Sequence, residues 1–251
     1  MQNATTVPGT MRAKRIDVGE CYHLVSLPRV GSECELVGEL HVRRVVVGMY
    51  QTNCYIVMDR ETGEGYIIDP GGNYRGILNA AREEGLKCLG ILCTHGHMDH
   101  VGAVGKVAEA TGAPVYVSDE DSGILEGTGR GLEGRLGSLV VSRPGGVELI
   151  KEGDTLRLGE NTIKVLRTPG HTRGSLSFLC GEYLFCGDFI FQGSVGRTDL
   201  KGGSMKQLLE AVKKEVWVLP PETRILPGHG PETCVADEKA TNPYLRSLGS
   251  N

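Results

Sequence analysis

Thr94-His95-Gly96-His97-Met98-Asp99-His100 is the stretch on which the reading of this chain turns. It places four cation-binding side chains within six residues. The chain has only seven histidines in 251 residues, so H-x-H-x-D-H should arise by chance roughly once in a few thousand chains of this length. Ahead of it, residues 87–93 (KCLGILC) form a short continuous apolar run, the pattern of a buried strand. Behind it, Val101, Val104, Val107 and Ala108 make one stripe. That predicts a helix over 101–111, ended by Gly112 and Pro114. The cluster therefore sits at the C-terminal end of a strand, where α/β folds place ligand groups. Imidazoles and carboxylates so closely spaced suit Zn2+ or Fe2+. Four donors in six residues do not readily face one ion. His95 and His97 point one way from an extended loop, while Asp99 and His100 point to a second position nearby.

Two further histidines have the same local setting. His171 lies in Thr168-Pro169-Gly170-His171-Thr172, after a predicted strand over 162–166. His229 lies in Leu226-Pro227-Gly228-His229-Gly230, after a predicted strand over 224–226. Cys186-Gly187-Asp188 again follows a strand (183–186), where Asp188 is placed to bridge two cations. Each turn alone is a weak signal, because a Gly-Asp after a strand is more often just a turn. Together they put five of the seven histidines and two aspartates at strand ends. His23 and His41 sit in ordinary strand-like contexts and read as structural.

Outward from these turns, strands are predicted over 41–47, 53–58 and 64–69 at hairpin spacing. A helix follows over 73–84, then a strand over 114–117 beyond the 101–111 helix. Residues 119–150, rich in glycine and charge, read as an irregular insertion that could face substrate. Strands follow near 155–158, 162–166, 175–179 and 183–186. The clearest helix spans 204–217, with Ser204 and Gln207 as a capping box and Met205, Leu208, Leu209, Val212 and Val216 on one stripe. A closing helix is expected over 236–248. Residues 1–40 have weak periodicity, with strand hints at 15–18 and 34–37, and read as an N-terminal extension to a domain spanning 41–251. The order suits two packed sheets with helices outside.

Composition narrows the function classes. The net charge is −4, which argues against a nucleic-acid partner. No apolar run reaches the roughly 20 residues of a bilayer span, and the N-terminus lacks a signal pattern, so a cytoplasmic protein without a membrane partner is expected. The eight cysteines form no C-x-x-C and read as free thiols. No G-x-S-x-G elbow is present.

Thr94–His100, His171, Asp188 and His229 together resemble the metal-binding pattern of the metallo-β-lactamase superfamily, and more narrowly its short glyoxalase II-like hydrolases. Supporting stretches are Gln51-Thr52-Asn53-Cys54-Tyr55, Asp69-Pro70-Gly71-Gly72, Gly187-Asp188-Phe189-Ile190-Phe191, Val195-Gly196-Arg197-Thr198-Asp199, Pro227-Gly228-His229-Gly230-Pro231 and Asn242-Pro243-Tyr244. The resemblance covers about residues 40–251. It implies an α+β fold, a four-layer αββα sandwich of two mixed sheets flanked by helices. It implies two divalent cations, Zn2+ first with Fe2+ or Mn2+ as alternatives. His95, His97 and His171 would hold one, Asp99, His100 and His229 the other, and Asp188 would bridge them. Asp69 would orient a ligand loop through hydrogen bonds. Asp99 would also orient the attacking hydroxide, and Arg197 and Tyr244 are candidates for contacting substrate.

The implied activity is hydrolysis of a small-molecule thioester such as S-lactoylglutathione. The alternatives are an iron-dependent persulfide dioxygenase, or a lactonase or phosphodiesterase on the same fold. The chain departs from the larger glyoxalase II enzymes, since only 22 residues follow His229 and no C-terminal helical region remains to bind glutathione. It also carries Asp188 and His100 where common zinc β-lactamases carry Cys and Arg, which argues against antibiotic hydrolysis.

Overall fold

In the computed structural model, which describes residues 21–22, 39–125 and 146–249, the strands form two large sheets. The first holds seven strands in chain order: β1 (Cys21–Tyr22), β2 (Leu40–Val47), β3 (Thr52–Asp59), β4 (Glu64–Ile68), β5 (Lys87–Leu92), β6 (Val115–Val117) and β7 (Val147–Leu149). Its first four strands pair antiparallel and its last four parallel. The parallel joins run through α1 (Tyr74–Glu83), α2 (Met98–Val101), α3 (Val104–Thr111) and α4 (Asp119–Leu125). The second sheet is built from β8 (Thr155–Leu158), β9 (Asn161–Arg167), β10 (Leu176–Cys180), β11 (Tyr183–Gly187), β14 (Arg224–Pro227) and β15 (Thr233–Cys234). Between β11 and β14 lie a small hairpin, β12 (Ile190–Phe191) with β13 (Ser194–Val195), and the helix α5 (Met205–Ala211). The helix α6 (Val235–Thr241) follows β15.

The layering follows from side-chain alternation. β3 is buried along its whole length because its two faces feed different cores. Cys54 and Ile56 pack with Ile77, Val104 and Val107 of the helices on one side. Tyr55 and Val57 pack with Ile163, Phe178 and Phe185 of the second sheet on the other. The second sheet repeats the arrangement outward, where Leu184 and Ile225 meet Leu208, Val212, Val216 and Val235. The result is helix, sheet, sheet, helix: the four-layer αββα sandwich of mixed sheets.

This topology sends functional turns to one edge. β4, β5 and β6 are parallel, and the turns after β4 and β5 hold Asp69 and Thr94–His100. β9, β11 and β14 also share a direction, because β10 is antiparallel to β9 and β11, and β11 is parallel to β14. Their C-terminal turns hold His171, Asp188 and His229. Backbone hydrogen bonds stitch the two sheets along this edge: Leu176 N–H donates to the Thr94 carbonyl at 2.8 Å, and Asn53 N–H to the Gly228 carbonyl at 2.7 Å.

Several expected elements change. The 101–111 helix is two pieces, because the Ala103 N–H leaves the helical ladder to bond the Pro70 carbonyl at 2.9 Å. The 204–217 helix keeps its Ser204 cap, which accepts from Gln207 N–H, but its second half widens into a π turn over Val212–Val216. The closing helix stops at Thr241, since Asn242 precedes Pro243 and takes an extended conformation. The segment read as an irregular insertion contains α4 and β7, and residues 126–145 lie outside the described residues, as do the strand hints at 15–18 and 34–37 and His23. His41 is buried, with the Arg60 guanidinium donating to its Nδ1 at 2.8 Å and Glu84 2.9 Å from its Nε2. Among the described residues no helix is long and apolar enough to cross a membrane, and six cysteines are free thiols.

Phe178 is fully buried between the sheets. Phe178→Ala should lower stability by about 3–5 kcal/mol, read as an earlier urea midpoint with an unchanged slope.

Candidate metal centre

The centre is assembled from turns packed without spare room. Asp69 leaves β4 in the left-handed region (φ 50°), which swings its carboxylate beneath the Thr94–His100 loop. Gly71 follows, and a Cβ there would lie 1.4 Å from the Asp99 carbonyl oxygen. Across the centre, a Cβ on Gly228 would lie 2.5 Å from both Asp188 Oδ1 and His100 Cε1. Any side chain at either position would push a candidate donor out of place.

Two three-donor groups result. His95, His97 and His171 bring one donor atom each to within 4.8 Å of one another, and so do Asp99, His100 and His229. In the first group His97 Nδ1 stands 3.1 Å from His95 Nε2 and 2.8 Å from His171 Nε2. In the second, His229 Nε2 stands 3.3 Å from His100 Nε2 and 3.2 Å from Asp99 Oδ2. Asp188 lies between them, with Oδ2 3.6 Å from His171 Nε2 and Oδ1 3.2 Å from His100 Nε2. A third grouping, Asp69 with His95 and His100, is also close. There, however, both Asp69 oxygens are already engaged by Thr94 N–H (2.7 Å), Thr94 Oγ1–H (2.6 Å) and His100 Nδ1 (2.8 Å).

Outward hydrogen bonds set the tautomers. His171 Nδ1–H donates to the Arg197 carbonyl at 2.8 Å, and His229 Nδ1–H to the Tyr50 carbonyl at 3.0 Å. His100 Nδ1–H donates to Asp69. Thr94 Oγ1 spends its proton on Asp69, so it accepts from His95 Nδ1–H at 3.1 Å. In its neutral form each of these four rings therefore turns a bare Nε2 inward. A proton on His97 Nδ1 could satisfy one of its two neighbours but not both.

The ionisation pattern differs between the two groups. Burial first, and then the facing imidazoles, push His95 well below the usual histidine range and His97 down to about 4, leaving neutral rings with free lone pairs. For His100 burial opposes the charge, but the Asp188 and Asp69 carboxylates outweigh it and hold the ring well above its usual value. Burial likewise opposes ionisation of Asp99, yet the His229 contact and the His100 charge bring it to about 2. Asp188 is lowered against its burial by His100, His229 and His171.

The donor set fits a pair of divalent cations. Five imidazole nitrogens and two ionised carboxylates converge, the composition that Zn2+ and Fe2+ favour. Asp188 Oδ1 is buried and makes no hydrogen bond, a cost that a cation would remove.

The structure thus brings together His95, His97, Asp99, His100, His171, Asp188 and His229, with Asp69 behind them. The Arg197 side chain stays apart, exposed and paired with Asp199 at 2.8–2.9 Å, and the residue reaches the centre only through its carbonyl. Tyr244 is half exposed, and its backbone N–H donates to Asn242 Oδ1 at 3.0 Å. Three contributors had no chemical signature in the sequence. These are the Thr94 hydroxyl, the Tyr50 carbonyl, and Asn53, whose amide donates to the Pro227 and Gly230 carbonyls at 2.9 Å and so shapes the His229 turn.

Comparison with known proteins bears on these positions. The profile of the Metallo-beta-lactamase superfamily matches residues 47–229. The "Probable metallo-hydrolase YqgX" of Bacillus subtilis is 37% identical over 82% of this chain and 98% of its own length. The "Hydroxyacylglutathione hydrolase GloC" of Haemophilus influenzae is 32% identical over 83% and 99%. Among solved structures, BLEG-1, described as a B3 metallo-beta-lactamase, superposes with a TM-score of 0.73 at 35% identity over 81% of this chain and 99% of its own. TTHA1623 in a di-iron-bound form gives 0.70 at 40% identity over 80% and 99%. ETHE1 from Myxococcus xanthus gives 0.66 at 30% identity over 80% and 83%.

Asp69→Ala removes the acceptor of His100 Nδ1–H and lets the neutral ring carry its proton on Nε2 instead. Retention of zinc should weaken by about 10–100-fold in chelator competition. Unchanged retention would show that Asp69 does not set the His100 tautomer.

Proposed function

Because the chain belongs to the metallo-beta-lactamase superfamily, we propose that this metallo-hydrolase cleaves thioesters of the S-lactoylglutathione type at a centre of two divalent cations, Zn2+ in the first instance. The observation that carries this reading is the pair of complete three-donor groups with one carboxylate between them. The similarity to GloC supports the substrate class.

When bound, such a cation pair polarises a carbonyl oxygen and acidifies water at neutral pH. The chain's own residues do the rest. His95 and His97 supply neutral lone pairs, His171 turns its Nε2 toward them, and Asp99 and Asp188 supply negative charge that balances the centre. Asp99, ionised at neutral pH and about a quarter exposed, is an oriented acceptor at the open face, able to align an attacking water. His97 and His229 are also partly open to solvent, whereas His95, His100 and His171 are buried. Substrate therefore approaches over His97, Asp99 and His229.

Neither Cys93 nor Cys186, the thiols beside the donor turns, competes as a nucleophile. Cys186, two residues from Asp188, has its thiol pushed up to about 12 by burial, and burial also raises Cys93 well above its ordinary value. A leaving thiol with a pKa of about 8.5 departs as thiolate and needs little acid assistance. The site accordingly needs only to align water and carbonyl.

A second reading is an iron-dependent persulfide dioxygenase with a single iron; the similarity to the di-iron-bound TTHA1623 bears on the metal alone, since the same donors suit Fe2+. One iron would leave the second donor group without a role. Oxygen uptake with a persulfide would favour that reading over hydrolysis.

The test pairs metal analysis of the purified chain with assays on S-lactoylglutathione, related thioesters and a cephalosporin. The wild-type chain should carry two divalent ions and turn over thioesters. His97→Ala should lose one of the two ions and Asp188→Ala should weaken both, and each should lower kcat/KM by more than about a hundredfold, beyond the usual effect of an outer hydrogen-bond partner. Retained turnover in both variants would defeat the scheme, and turnover of the cephalosporin alone would move the substrate class.

A further inference from the structure

Asp69 accounts for only part of how the donor turns are held. Its three hydrogen bonds reach Thr94 and His100. None reaches Gly96, between His95 and His97, or the turn that carries His171. A different carboxylate makes those contacts. Asp121, in α4, points one oxygen back toward the histidines. Its Oδ2 accepts the Gly96 N–H at 3.1 Å and the Thr172 hydroxyl at 2.9 Å. Thr172 directly follows His171. Its N–H donates to Ser175 Oγ at 3.1 Å, and the two hydroxyl oxygens lie 2.7 Å apart, closing the 171–175 turn on itself.

The contact is tight as well as polar. A Cβ on Gly174 would lie 2.8 Å from Asp121 Cγ and 2.3 Å from Ser118 Oγ. The His171 turn thus rests directly on the start of α4, and any side chain at 174 would wedge the two apart. One carboxylate oxygen spans the two sheets here, since the Gly96 loop follows β5 and the Thr172 turn follows β9.

We propose that Asp121 is a positioning residue that joins the His95–His97 loop to the His171 turn through one shared carboxylate oxygen and so sets the cation affinity of that three-histidine group separately from the Asp99–His100–His229 group. The inference rests on the two-cation reading above but not on the choice of substrate. Loss of an outer hydrogen-bond partner weakens metal binding by about 10–100-fold, and the whole effect falls on one group because Asp121 contacts neither Asp99, His100 nor His229 among the described residues.

The experiment challenges the zinc-loaded full-length chain with a chromophoric chelator and counts zinc retained per chain. His229→Ala leaves the three-histidine group as the complete one, and His97→Ala leaves the other. Adding Asp121→Ala to His229→Ala should weaken zinc retention by about 10–100-fold. Adding it to His97→Ala should leave retention unchanged, which a general loss of stability would not do. Asp121→Asn keeps an oxygen able to accept both bonds, and Thr172→Val removes one of them. Both should fall between wild type and Asp121→Ala. Equal losses in the two backgrounds, no loss in either, or a loss as large with Asn as with Ala would each overturn the inference. A wild-type chain that holds two zinc ions but leaves thioesters intact would sink the substrate reading alone. A chain that holds no zinc would sink both.

Discussion

Bare nitrogens that face one another are the constraint on which the rest of this molecule depends. In their neutral forms four imidazoles spend their only ring proton outward, on a carbonyl, a carboxylate or a hydroxyl oxygen, and aim an unprotonated Nε2 at the same small space. Lone pairs at 2.8–3.3 Å repel unless a positive charge stands among them. The two groups meet this problem differently. In the three-histidine group His95 and His97 are held neutral and wait for a cation. In the other group the carboxylates of Asp69 and Asp188 draw positive charge onto His100. The first condition calls for a cation directly, and in the second a cation would take the place of the extra proton on His100.

Neither sheet can build the centre alone. The first sheet supplies His95 and His97 to one group and Asp99 and His100 to the other; the second sheet completes them with His171 and His229 and inserts Asp188 between. The inter-sheet core of Tyr55, Val57, Ile163, Phe178 and Phe185 is therefore also what brings the donors to distance. A cation held across this edge bonds to both sheets at once, so it binds the folded chain and not the unfolded one, and part of its binding energy becomes folding energy.

Much of this was legible in the sequence because the donors sit at strand ends, and strand ends are marked by abrupt changes of residue type. An apolar run that stops at Thr94, and Pro-Gly ahead of both His171 and His229, place the donors by local grammar alone. The helices were less legible where tertiary contacts override periodicity. The stripe through Val101, Val104 and Val107 gave no warning that the Ala103 N–H bonds Pro70. Nor did the composition of residues 119–125, glycine and acid, announce a helix, since Asp and Ser are as common in turns. The hydrogen-bond partners were least legible of all. The carbonyls of Tyr50 and Arg197 belong to every residue type, and only the fold decides which ones face a ring.

The division between buried and open donors bears on what the centre can do. His95, His100 and His171 are closed off, while His97, Asp99 and His229 keep part of their surface in solvent, so each group has a fixed inner part and an open outer one. A structural metal site has no use for such an opening, since its ligands close round the ion. At the rim the β2–β3 turn presents Met49 and Tyr50, largely exposed, and the Tyr50 carbonyl is the acceptor that fixes His229. A molecule that pressed on this turn would therefore press on a donor of the centre as well. Recognition at the rim and ligand geometry at the cations are mechanically one feature, and a centre built to react with something brought from outside requires that coupling.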